Sequence, residues 1–131
     1  MKKLRLYLDT SVLNFLFAED VPEFKKITEE FFENYVKKGK YITYISDVVI
    51  REIEKTKDEI KKISLLELIK KYSLQILTLN KDSDALANVY IRENIIPARK
   101  IEDARHIAIS TCNQIDILVS WNFKHLANIQ K

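Results

Sequence analysis

Three carboxylates in this chain stand where the surrounding pattern asks for another residue type. Asp9 ends the apolar run Leu4-Arg-Leu-Tyr-Leu8. Glu52 follows Val48 and Val49 on their own side of a helix, and Asp103 has the same relation to Ile107. A carboxylate beside an apolar face is costly to desolvate unless a cation, hydrogen bonds or a metal compensate. Singly, each has an ordinary explanation: Asp9, Thr10 or Ser11 caps the next helix, and Glu52 or Asp103 reaches water at a rim. On its own segment Asp9 divides evenly between helix cap and site residue. Taken together, the three acids form a set of hard oxygen donors. Such donors suit Mg²⁺ or Mn²⁺, which keep several waters and bind substrate phosphates alongside a few carboxylates.

Whether the acids meet depends on the elements that carry them. Leu4 to Leu8 reads as a strand, followed by a short helix to about Phe17. Pro22 opens an amphipathic helix with Phe24, Ile27, Phe31, Phe32 and Tyr35 on its apolar side, and Gly39 closes it. Tyr41-Ile-Thr-Tyr-Ile45 is a second strand. Ser46 and Asp47 offer caps for a helix from Val48 that breaks near Thr56 and resumes with Ile60, Ile63, Leu65, Leu66, Leu68 and Ile69. Leu74 to Leu79 is a third strand, and Asn80 to Asp84 caps the helix of Leu86, Val89 and Tyr90. A loop around Pro97 leads to a helix from Ile101 to Thr111. Ile117 to Ser120 reads as a short buried strand, and Trp121 to Leu126 as a last helix.

Strands thus alternate with helices four times. The pattern predicts an α/β single-domain three-layer sandwich over residues 1–131, with a central, mostly parallel sheet of about four strands flanked by helices. Ligands of such sheets gather outside the carboxyl ends of the strands. Asp9 ends the first strand, Glu52 lies early in the helix after the second, and Asp103 opens the helix before the fourth, so the fold brings all three to one edge.

Composition removes several classes of function. A hydrophobic fraction of 47% and a charged fraction of 31% belong to an ordinary globular protein, and there is no apolar run of membrane-spanning length. No signal-peptide pattern opens the chain, and the one cysteine, Cys112, reads as core filler in a reducing compartment, which points to the cytoplasm. The net charge of +3, from 22 basic and 19 acidic residues, is not that of a strongly basic nucleic-acid binder. One glycine, Gly39, is too few for a phosphate-binding glycine loop. His106 and His125 lack the spacing of a zinc site and read as structural or, at most, substrate-facing. An aspartyl-phosphate mechanism is disfavoured because Ser11 stands where haloacid-dehalogenase-type phosphatases carry a second Asp. Arg99, Lys100, Arg105 and Lys124 are candidate phosphate contacts that read equally as solvated surface.

Four segments resemble the PIN-domain nucleases, particularly the VapC-like toxins of type II toxin–antitoxin systems and their prokaryotic relatives. They are Leu8-Asp-Thr-Ser11 with Asn14, Ser46-Asp-Val-Val-Ile-Arg-Glu-Ile53, Glu102-Asp-Ala-Arg-His-Ile-Ala108 and Asp116-Ile-Leu-Val-Ser-Trp-Asn-Phe-Lys-His125. The resemblance spans nearly the whole chain and implies a PIN-like fold and a ribonuclease dependent on Mg²⁺ or Mn²⁺. It places Asp9, Glu52 and Asp103 on the family's metal-binding positions, with Thr10, Ser11 and Ser120 in support. Asn122 falls on a catalytic position that is often a fourth acid. It also implies an RNA substrate, an antitoxin protein partner and a homodimer, with no membrane association. Two departures stand out: Asn122 brings an amide without charge, and the chain ends at Lys131 where many relatives continue into a further strand. Asp116, before the fourth strand, is expected at the opposite edge in a turn role. The alternative is a catalytically weakened PIN domain acting as an RNA-binding or protein-binding module.

Overall fold

In the computed structural model of the protein, residues 2–122 are described. Their elements run β1 (Arg5–Leu8), α1 (Thr10–Asn14), α2 (Pro22–Phe31), β2 (Ile42–Ser46), α3 (Asp47–Glu54), α4 (Glu59–Lys71), β3 (Gln75–Leu77), α5 (Lys81–Arg92), α6 (Ile101–Cys112) and β4 (Ile117–Val119). The four strands form one parallel sheet in the order β3-β2-β1-β4. The expected α/β sandwich with a parallel sheet flanked by helices is therefore the observed fold.

The strand order explains where a site can open. From β1 the chain moves outward through β2 to β3, then returns to place β4 on the other side of β1. That reversal leaves a crevice beyond the carboxyl ends of β1 and β4. Leu6, Tyr7 and Leu8 are all buried, so both faces of β1 are covered, as parallel sheets require. One apolar cluster joins β1 and β2 to α1, α3 and α4 through Leu8, Leu13, Ile45, Val49, Ile53 and Leu65. A second, built on Ala87, Ile96, Ala104, Ile107 and Ala108, packs α5 against α6. Small alanines let these two helices approach closely.

Local chemistry fixes the element ends. The Ser46 hydroxyl accepts from the N–H groups of Val48 and Val49 and caps α3. Asn80 and Ser83 form a reciprocal capping box at the start of α5. Gly39 adopts φ +69°, the left-handed conformation that ends the α2 segment after a wide turn at Phe32–Val36. The break near Thr56 is real: α3 stops at Glu54 and Asp58 caps α4.

Several expectations need correction. The fourth strand is an edge strand, and Ile117 is exposed because nothing pairs with its outer side among the described residues. Cys112 is exposed, since it ends the last turn of α6 beyond the core-facing stretch. In α4 only Leu65 and Leu68 are buried; Ile60 and Ile63 lie on the water side because apolar residues surround that helix and only one stripe meets the core. In α2, Phe24 and Ile27 are likewise exposed, while Phe32 beyond the helix is fully buried. Asp116 takes the expected place at the opposite edge: its carboxylate accepts from the Arg5 N–H at 2.8 Å, where β1 begins. No helix among the described residues is long and apolar enough to cross a membrane. The expected last helix, with Lys124 and His125, lies outside the described residues.

Candidate active site

At the carboxyl edge of the sheet a cleft of about 340 Å³ opens in the crevice beyond β1 and β4. Asp9, Glu52 and Asp103 line it, together with Thr10, Ser11, Asn14, His106 and Asn122. Acids contributed by the end of β1, by α3 and by the first turn of α6 thus share one cavity. Ser120, just past β4, touches it through Asp9.

Asp9 is buried, and it occupies the position before α1 without capping that helix. Its oxygens point elsewhere. Ser11 Oγ donates to Oδ1 at 2.5 Å, and the Ser120 hydroxyl donates to Oδ2. Each serine is itself held in place by a backbone donor. The Trp121 N–H donates to Ser11 Oγ and the Asn122 N–H to Ser120 Oγ, both at 2.9 Å. The segment after β4 is therefore clipped to the turn after β1 through the carboxylate between them. Thr10 is no helix cap either, because its hydroxyl donates to Glu52 Oε1 at 2.6 Å.

Glu52 reaches from the helix that Ser46 caps. Its Oε1 also lies 2.8 Å from His106 Nε2, and Oε2 takes no hydrogen bond from the described residues. Burial by itself raises this carboxyl, yet the hydrogen bonds of His106 and of the Thr10 hydroxyl, with Lys55 nearby, hold it below its ordinary value. Glu52 is thus a carboxylate with one oxygen fixed and one left to the cleft.

His106 is only 3% exposed, but it lines the cleft and bonds one of its acids, so a purely structural reading of it is incomplete. Its Nδ1 lies 2.7 Å from the hydroxyl of Tyr7, which in turn lies 2.6 Å from Ser46 Oγ. Nothing in the sequence marks Tyr7, Ser46 or Asn14 by itself as a site residue. Tyr7 reads there as a strand aromatic, Ser46 as a helix cap and Asn14 only as part of a motif.

The basic candidates fare differently. Arg105 is committed to an ion pair with Glu102 and approaches Asp84 of α5 at 3.7 Å, so it ties two helices together. Arg99 is exposed and Lys100 half-buried in the turn before α6, and neither belongs to the lining of the cleft. Among the described residues no three His, Cys, Asp or Glu side chains come close enough together to close on a single ion. The cleft collects its acids at a wider spacing than direct coordination by all of them requires.

No protein-family model matches this sequence, and a comparison with curated proteins gives no match. Solved structures do match. The toxin VapC20 of Mycobacterium tuberculosis, described as cleaving the sarcin-ricin loop, is 10% identical, with 93% of each chain covered and a TM-score of 0.73. A chain of VapBC2 from Rickettsia felis, determined bound to a DNA fragment from its promoter, is 16% identical over 96% of this chain and 93% of its own, with a TM-score of 0.64. At such identities the likeness establishes the fold, and it is the PIN-type fold of VapC proteins that the sequence resemblance implied.

Proposed function

We propose that this chain, which has the PIN-type fold, is a metal-dependent endoribonuclease that hydrolyses RNA phosphodiester bonds and acts as the toxin of a toxin–antitoxin pair. The observation that carries this reading is the cleft in which Asp9, Glu52 and Asp103 come together beyond the carboxyl ends of parallel strands. The description of VapC20 as a sarcin-ricin-loop-cleaving toxin supports the choice of RNA as substrate. That of VapBC2 supports a partner of the antitoxin kind.

The donors fit Mg²⁺ or Mn²⁺. All three acids offer hard oxygens, Glu52 Oε2 takes no hydrogen bond from the described residues, and the cleft of about 340 Å³ has room for an ion with its waters at ~30 Å³ each. Wide spacing of the acids suits an ion held by one or two carboxylates with water in the remaining positions. When bound, such an ion lowers the pKa of a water and neutralises charge on the scissile phosphate. The chain's own residues do the positioning. Ser11 and Ser120 fix Asp9, Thr10 and His106 fix Glu52, and Asn122 presents a neutral amide that can orient water or phosphate without adding repulsion.

The test is incubation of single-stranded RNA with the purified protein and Mn²⁺, with a chelator arm and an Asp9→Asn arm. Cleavage in the first arm alone supports the reading; cleavage by Asp9→Asn overturns this site. A second reading is favoured by Asn122, whose amide stands where a fourth acid would strengthen metal binding: a weakened PIN domain that binds RNA or protein. Binding of RNA without cleavage in either metal selects it. A homodimer belongs to the same proposal, and exposed Phe24, Ile27, Ile60 and Ile63 provide apolar surface for self-association or an antitoxin. Sedimentation of the protein alone and with the product of an adjacent small reading frame tests both partners.

A further inference from the structure

Ser46, Tyr7, His106 and Glu52 form an unbroken buried line of polar contacts from a helix cap to the cleft, at 2.6, 2.7 and 2.8 Å in turn. We infer that this line is a one-way chain of donors, set by the cap of α3, which locks His106 in its Nε2–H form and makes Tyr7 and His106 positioning residues for Glu52. The catalytic consequence rests on the nuclease reading above; the proton order does not.

The direction follows from counting protons and lone pairs. Ser46 Oγ has two lone pairs, and both face backbone donors: the N–H of Val48 at 3.2 Å and that of Val49 at 3.5 Å. Its remaining capacity is its own proton, which must go to the Tyr7 oxygen. Tyr7 is fully buried, and burial above all pushes its hydroxyl far above the ordinary range, so it keeps its proton and has only His106 Nδ1 to give it to. Nδ1 is then an acceptor, and the imidazole carries its proton on Nε2, facing Glu52 Oε1. The reverse order fails at its far end. An imidazole protonated at Nδ1 would make Tyr7 donate to Ser46, whose acceptor sites the cap has already filled.

The order has a consequence in the cleft. Glu52 Oε1 receives two donors, from His106 and Thr10, and these fix the plane of the carboxylate. The oxygen left over, Oε2, is the one available to an ion, a water or a substrate group. Partners that orient a ligating side chain in this manner typically change metal affinity or activity by about 10–100-fold when removed.

The test is nitrogen NMR of the full chain labelled with ¹⁵N-histidine, with His106 assigned by a His125→Gln variant. At a pH where the ring is neutral, the expected tautomer of His106 in the wild type carries its proton on Nε2, and Tyr7→Phe is expected to give a mixture of tautomers. A neutral ring with its proton on Nδ1 overturns the donor chain. In the RNA assay, His106→Gln keeps a donor facing Glu52, whereas His106→Asn retains only the Tyr7 end. The order expected for kcat is wild type, then Gln, then Asn, with the last step on the order of tenfold and KM little changed. Equal loss in Gln and Asn, or a change in KM alone, assigns His106 to packing and overturns its positioning role. A wild type that shows the Nε2–H form but cleaves no RNA leaves the donor chain standing and removes only the nuclease reading.

Discussion

The Ser120 hydroxyl donates to Asp9 Oδ2, joining two residues 111 positions apart at the carboxyl ends of adjacent strands β4 and β1. Ser11 holds the other oxygen, so the carboxylate is gripped from both sides of the strand boundary. A buried charge held in this way is costly to leave half-satisfied. Ser120→Ala is expected to lower stability by about 1–3 kcal/mol, the range for a lost hydrogen bond to a buried charged group. Urea denaturation reads this loss, and an unchanged midpoint would show that Asp9 does not depend on Ser120. Cleavage of RNA should fall as well, because the same bond aims the acid at the cleft.

Metal removal separates the acids' role in binding from their role in folding. Chelation is expected to stop RNA cleavage and Mn²⁺ to restore it. Asp9→Asn and Asp103→Asn should stay inactive after metal is returned, with circular dichroism that overlays the wild type. Recovery of activity by either variant would remove that acid from the ligand set.

Much of this arrangement can be read from the residues in order, and the rest fails for identifiable reasons. Asp9 is legible because an apolar strand runs straight into it, and Glu52 because it interrupts the valine face of α3. The parallel sheet is legible because strand and helix periods alternate. His106 is not, since its hydrogen-bond partners Glu52 and Tyr7 stand 54 and 99 residues away. Ser46 is legible as a cap, but its second bond, to Tyr7, exists only once β1 and β2 pair. Cys112 and Ile60 mislead for a shared reason: periodicity tells that a side is apolar, not where the core ends. Arg105 misleads because a basic residue near an acid site resembles a phosphate contact until Glu102 and Asp84 take it up.

The depressed Glu52 carboxyl predicts a pH dependence of stability. Its folded value lies below the ordinary 4.5, so Glu52 contributes stability that is fully present above that pH and lost as pH falls through the folded value. Replacing it by Gln removes this contribution. The wild type should therefore lose its stability advantage over Glu52→Gln below about pH 4.5. Denaturation midpoints measured on both proteins from neutral pH downward test the sign. A gap between them that widens on acidification would contradict it.

Asn122 offers the opportunity to strengthen the site. It lines the cleft, and its backbone N–H is anchored on Ser120 at 2.9 Å, so a carboxylate introduced there is already placed on the side of Asp9. Asn122→Asp brings a fourth acid to Asp9, Glu52 and Asp103. Without metal the extra charge repels its neighbours, and the variant should melt below the wild type. With metal the sign reverses, because one added ion–carboxylate contact near a protein surface is worth about 1–4 kcal/mol. The Mg²⁺ concentration that supports half-maximal cleavage should fall on the order of tenfold, for which about 1.4 kcal/mol suffices. Thermal melts with and without Mg²⁺ provide the same comparison independent of RNA: the variant's gain on adding metal should exceed the wild type's. Equal gains would show that the side chain at position 122 lies beyond the reach of the ion, and that Asp9, Glu52 and Asp103 act without a ligand from that position.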